Sequence, residues 1–103
     1  MLEPQRYRKR PVVIEAMQWT GDNADAITAW YVSDFTDHEF STLDPEDATD
    51  NPVATAQIWV AANGVYAPIE TGEWIIRDSR GYYPCKADVF AQTYELVDEE
   101  SHA

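Results

Sequence analysis

Three glycine-bearing turns divide the second half of this 103-residue chain at near-regular spacing: Asn63-Gly64, Thr71-Gly72 and Asp78-Ser79-Arg80-Gly81. Between them lie short runs rich in β-branched and aromatic residues, the pattern of an antiparallel meander. Asn-Gly is the strongest short-range hairpin signal, because both of its residues tolerate the positive φ that a tight hairpin turn requires. Strands are therefore expected over 56–61, 65–69, 73–77 and 82–86. A short helical turn is expected over 87–92, with Val89 and Phe90 facing inward, and a closing strand over 93–97.

The first half reads differently. Tyr7 to Trp19 predicts a strand centred on Val12, Val13 and Ile14, with Pro11 marking an edge or a bulge because it has no N–H to donate. Residues 1–6 are a loose lead-in. Thr20-Gly21-Asp22-Asn23 breaks that strand and offers capping oxygens. A helix over 24–33 follows, with Asp25 in its first turn and Ile27, Trp30 and Tyr31 at helical spacing. Residues 34–53 hold seven carboxylates and two prolines, with Phe35, Phe40 and Leu43 as the large apolar anchors. A connection that long and polar predicts a functional loop or an insertion pinned by its phenylalanines.

Together these readings describe one small α+β domain with a mostly antiparallel sheet, curled or closed into a small barrel. Strands 12–19 and 93–97 would lie side by side. The last residues, 98–103, form an acidic tail expected to fray. The length allows a single core, and thirteen aromatics, four of them tryptophan, supply large side chains for it.

Charge bounds the partners. The net charge is −12, and no lysine or arginine occurs between Pro11 and Ile76, where twelve of the nineteen carboxylates lie. Arg6, Arg8, Lys9 and Arg10 cluster at one end, and Arg77, Arg80 and Lys86 at the other. Such an acidic body repels nucleic acid and disfavours a general DNA- or RNA-binder. The lone Cys85 fits a reducing cytoplasm, and no apolar run approaches the length of a membrane span.

Enzymatic signatures are not found. Residues 44–50 are rich in oxygen ligands but lack the glycine and the terminal glutamate of a calcium-binding loop. Cys85 has only the distant His38 and His102 as candidate bases, which favours a structural thiol, and no zinc spacing exists. No phosphate-cradling glycine loop or Ser/His/Asp arrangement is present. No catalytic residue, metal or cofactor is expected. The candidate binding residues are Arg77, Arg80, Tyr82, Tyr83 and Lys86, since arginine and tyrosine together can hold an anion and stack on a ring.

Two segments carry a family likeness. Tyr7-Arg8-Lys9-Arg10-Pro11-Val12-Val13-Ile14-Glu15-Ala16-Met17-Gln18-Trp19-Thr20-Gly21-Asp22-Asn23 resembles the start of a family of small uncharacterised bacteriophage and prophage proteins. Gly72-Glu73-Trp74-Ile75-Ile76-Arg77, then Gly81-Tyr82-Tyr83-Pro84-Cys85-Lys86-Ala87-Asp88-Val89-Phe90 and Thr93-Tyr94-Glu95, resembles that family's ending. The family pattern there runs Gly-Asp-Trp-Ile-Ile, Tyr-Pro-Cys-Lys-Pro-Asp-Ile-Phe and Thr-Tyr-Glu, so this chain departs at Glu73, Ala87 and Val89. The likeness covers little of 34–60. It implies a phage-encoded origin, in an actinobacterial virus or prophage, and carries over no catalytic residue.

These readings lead to a small non-enzymatic phage accessory protein in the host cytoplasm. It is expected to bind a host protein or a small anionic or nucleotide signal, in a counter-defence role, and to form a homodimer or higher homo-oligomer. The alternatives are a virion-associated protein, such as a head decoration or tail accessory subunit, and a DNA mimic built on the carboxylates of 34–50.

Overall fold

Two antiparallel sheets of three strands each, joined by one main helix and backed by a short one, make up the fold. The computed structural model describes residues 3–8, 10–31, 40–44, 46 and 51–97. One sheet has the order β1 (Glu15–Gln18), β5 (Trp74–Asp78), β6 (Gly81–Cys85). The other has the order β2 (Ser41–Thr42), β3 (Ala54–Val60), β4 (Val65–Glu70). The helices are α1 (Ala24–Tyr31) and α2 (Ala87–Thr93). Among the described residues no helix is long and apolar enough to cross a membrane.

Local chemistry accounts for the turns. The β3–β4 hairpin closes where the amides of Asn63 and Gly64 both donate to the Val60 carbonyl, with Gly64 at φ 66°. Asp78 pairs with Gly81 across the β5–β6 turn, and the Asp78 carboxylate accepts the Arg80 amide at 2.8 Å. Between β1 and α1, Asn23 works in both directions: its Oδ1 accepts the Thr20 amide and its Nδ2 donates to the Gln18 carbonyl. Its own carbonyl accepts the Ile27 amide and starts the helix.

Residues directly opposite each other on neighbouring strands share a face. In the first sheet Met17, Ile75 and Pro84 lie on one face, together with Glu15, Arg77 and Tyr82. That face meets α1, where Trp30 and Tyr31 pack on Tyr82. Ala16, Ile76 and Tyr83 lie on the other face with Trp74, where Phe90 of α2 stacks on Trp74 at 4.0 Å. In β3, Ala54, Ala56, Ile58 and Val60 are buried at alternate positions while Thr55, Gln57 and Trp59 are half-buried. The core joins both sheets to α1 through Trp19, Ile27, Tyr31, Phe40, Ile58, Ile69, Ile75 and Tyr82.

Several expectations are corrected. The strand over 7–19 contracts to Glu15–Gln18, and Val12 and Val13 are 68% and 75% exposed. The reason lies in the partner: β5 turns into β6 just past Arg77, the residue opposite Glu15, so the earlier residues have no strand to pair with. The closing strand over 93–97 is absent, because α2 continues to Thr93 and Tyr94 caps it on the Phe90 carbonyl. Strands 12–19 and 93–97 therefore do not lie side by side; the neighbour of β1 is β5.

A single curled sheet or barrel is replaced by two separate sheets, neither closed nor strongly curled. The ladder breaks at Gly72 (φ 100°), where the Gly72 amide donates to the Trp19 carbonyl and the Trp19 amide to the Glu73 carbonyl. These bonds carry the chain from the second sheet to the first. Val89 is exposed rather than inward. Phe40 is buried as expected and is followed by the short β2, while Phe35, residues 32–33, most of the acidic segment and the tail from 98 lie outside the described residues.

Candidate functional site

The five candidate residues divide between two faces of the β5–β6 pair. Arg77, Arg80 and Tyr82 line one open cleft of about 470 Å³, joined there by Tyr31 of α1 and Trp59 of β3. Tyr83 and Lys86 lie elsewhere. The division follows from strand geometry, since successive side chains point to opposite faces.

Tyr82 forms the floor of the cleft. It is 2% exposed, its hydroxyl donates to the Trp30 carbonyl at 3.1 Å, and the rings of Trp30 and Tyr31 stand 5.0 and 4.6 Å from its own. It therefore serves as a fixed surface, with its hydroxyl donated to the helix. Arg77 lies over this ring, with Cζ 5.5 Å from the centroid, and its Nη1 is 3.6 Å from Glu15 Oε1. The same carboxylate oxygen accepts the Trp30 indole N–H at 2.7 Å, so Glu15 ties the guanidinium of β5 to α1. Arg80, at the turn, is exposed, and its side chain forms no ion pair among the described residues. Trp59 contributes a half-buried indole held edge-on to Tyr66 at 5.2 Å.

The cleft thus offers an anchored cation, an exposed cation and one half-buried indole, with Tyr31 and Tyr82 buried beneath it. Asp78 also borders it and holds the turn amide. This arrangement can neutralise one anionic group and cover one flat ring. Sequence reasoning missed Trp59 and Tyr31 as members. The period-2 alternation of β3 and the helical spacing of α1 identify the faces those residues occupy, but nothing local brings the two faces together.

On the opposite face, Lys86 pairs with Glu73 at 3.6 Å, and Glu73 in turn accepts the Glu70 amide at 2.7 Å. Burial raises the Tyr83 pKa well above its ordinary 10.0, and the hydrogen bond and charge of Tyr94 and the carboxylate of Asp78 push it further. Tyr83 is thus a protonated packing residue. Cys85 is also raised from 9.0, by burial first and then by Glu73 and Asp88, and its thiol donates to the Lys86 carbonyl at 3.6 Å. The neighbouring lysine does not activate this thiol, because its ammonium lies against Glu73. Among the described residues no three of His, Cys, Asp and Glu converge as metal ligands, while most of the carboxylate run 44–50 lies outside them.

Compared with known proteins, the chain matches no family model, no curated protein and no solved structure.

Proposed function

We propose that this is a small non-enzymatic phage accessory protein whose cleft binds a small anionic ligand with an aromatic ring, of the nucleotide class, in the host cytoplasm. The observation that supports this reading is the convergence of Arg77 and Arg80 with Tyr31, Trp59 and Tyr82 around one cleft of about 470 Å³. That volume lies in the range of small-molecule sites, which combine aromatic walls with a few placed polar groups. Arg80 would take the anion in a forked hydrogen-bonded pair. The Trp59 indole would cover the ring. The acidic body would keep competing polyanions away while admitting a small one. Sequestering a nucleotide signal is the counter-defence role such a site would serve, and the resemblance to phage proteins points the same way.

Native mass spectrometry of protein purified from host lysate, followed by calorimetry against a nucleotide panel, tests this. A retained ligand that Arg80→Ala abolishes supports the site. Absence of any nucleotide binding at micromolar concentration, in both measurements, overturns it.

A virion-associated role is the second reading. Strand β4 is an outer strand of its sheet, with Val65 and Tyr66 exposed, and open edges with apolar side chains suit assembly contacts. Mass spectrometry of purified virions tests this, and absence of the protein from particles rules it out.

A further inference from the structure

The described residues that lead into β1 are 3–8 and 10–13. Each of them is exposed, Tyr7 by 90%, and none makes a hydrogen bond or ion pair among the described residues. Four of the seven cations of the chain lie between Glu3 and Val13, interleaved with Tyr7, Val12 and Val13. An arm that is both basic and apolar, attached to a body of strongly opposite charge, is unfinished as a monomer's surface.

A complementary surface exists at the other end of the same chain. After α2 the backbone turns extended at Tyr94 (φ −124°, ψ 151°), and Leu96 and Val97 stand 95% and 41% exposed. Val89 on α2 adds a third exposed apolar side chain, and the carboxylates of Asp88 and Glu95 flank the group. So one exposed segment carries arginines among apolar residues, and the other carries carboxylates among apolar residues. Within one chain β1 is already paired with β5, α2 is stacked on Trp74 and Tyr94 is tied to Phe90; among the described residues neither the arm nor 95–97 makes a hydrogen bond or ion pair.

We propose that the N-terminal arm docks on a second copy of this chain, along the partner's 94–97 segment and the adjoining surface of α2. The exchange is reciprocal about a two-fold axis. Domain swapping of this kind is a low-cost route to a dimer, because it satisfies the same surface on both copies at once. In an extended conformation the arm would put Arg6, Arg8, Arg10 and Val12 on one side and Tyr7, Lys9 and Val13 on the other. The arginines meet the carboxylates of Asp88 and Glu95, and Tyr7 covers Leu96, the more exposed of the two apolar side chains. Nucleic acid is the competing partner for a basic arm, but the net charge of −12 opposes its approach. Salt is a poor probe here, since it screens both the arm's attraction and the repulsion between two acidic bodies. This inference does not rest on the cleft.

Light scattering of the full chain at increasing concentration tests it, since the chain mass is 11.7 kDa and the dimer reads as a two-fold increase. Tyr7→Asp and Leu96→Asp should each raise the dimer dissociation constant by at least about tenfold. Both residues are exposed in the single chain, so both variants keep their fold, checked by circular dichroism. Arg8→Glu and Glu95→Arg should each weaken the dimer, and the double variant should restore it. A Tyr7→Cys/Leu96→Cys variant in a Cys85→Ala background should cross-link between chains. A monomer at every concentration overturns the proposal, as does a dimer indifferent to these substitutions. Failure of the double charge reversal to restore association, or a cross-link closed within one chain, also overturns it.

Discussion

Across the β5–β6 pair, the Arg77 guanidinium carbon lies 5.5 Å from the centroid of the Tyr82 ring, and the two residues are direct cross-strand partners. Tyr82 is immobilised by Trp30, and Glu15 holds the other side of the guanidinium. Arg77 is therefore a positioned charge on a buried ring, while Arg80, two residues past β5, is exposed.

Arg80→Ala should separate binding from stability. An exposed turn side chain without an ion pair changes stability by only about ±0.5 kcal/mol. Loss of a forked contact to an anion should lower affinity for any nucleotide that binds by at least about tenfold. Calorimetry and chemical denaturation on the same sample read both quantities. Arg77→Ala should lower both, because it also removes the contact with Tyr82, worth about 0.5–1 kcal/mol at such a site.

Alkaline pH should destabilise the fold through Tyr83 and Cys85. Both hold their protons more tightly when folded, so the folded chain binds more protons than the unfolded one above their ordinary values of 10.0 and 9.0. The stabilisation is complete below pH 9.0 and declines as pH rises through the raised values. Denaturation midpoints across that range should fall, and Tyr83→Phe should flatten the part of the decline that begins near pH 10.0. Cys85 should also alkylate more slowly than a free thiol at pH 8.

Phe90→Ala should undock α2 selectively. No residue of this helix is buried, and its tie to the sheet is the parallel stack of Phe90 on Trp74, 4.0 Å apart at 5°. An aromatic pair contributes about 0.5–1.5 kcal/mol beyond area burial, so a total loss of about 1–3 kcal/mol is expected. Hydrogen exchange should show lost protection in 87–93 with the β3–β4 hairpin unchanged.

Gly81→Ala isolates a backbone effect. Gly81 sits at φ 122°, and an added Cβ would meet only the Ala61 methyl at 3.8 Å. Space is available, so the cost is conformational, about 1–2 kcal/mol. The cleft should loosen with the turn, and a fall in thermal midpoint without new cavities would confirm the cause.

The turns were legible because their signals are local. Gly64, Gly72 and Gly81 each adopt a positive φ, which glycine reaches without a Cβ clash, and the strands between them follow from alternation. The α1 helix was legible from Ile27, Trp30 and Tyr31 and from Asp25 in its first turn, after the break at Thr20-Gly21-Asp22-Asn23. The short β2 was not, since Ser41 and Thr42 join a sheet only because β3 passes beside them. The tail after Thr93 was misread as a strand. Its alternating residues suit a strand, but a strand also needs an unpaired neighbour in reach.

Of the candidate site, the Arg77–Lys86 run was legible as a basic and aromatic cluster, and its division was not. Adjacent strand residues Tyr82 and Tyr83 share composition but face opposite layers, one under α1 and the other toward α2. Which tyrosine belongs to the cleft depends on which face each helix covers.

By itself the sequence determined the α+β class, the hairpin turns, the principal helix and the segregation of charge, because each depends on a few neighbouring residues. Tertiary structure decided the break into two sheets at Gly72, the meeting of Trp59 and Tyr31 with Arg77 and Arg80, and the exposure of 10–13 and 95–97. Those outcomes depend on hydrogen bonds and packing between residues far apart in the chain, such as Trp19 with Gly72 and Glu73. No local propensity encodes them, since their energy exists only once the distant partners are in place.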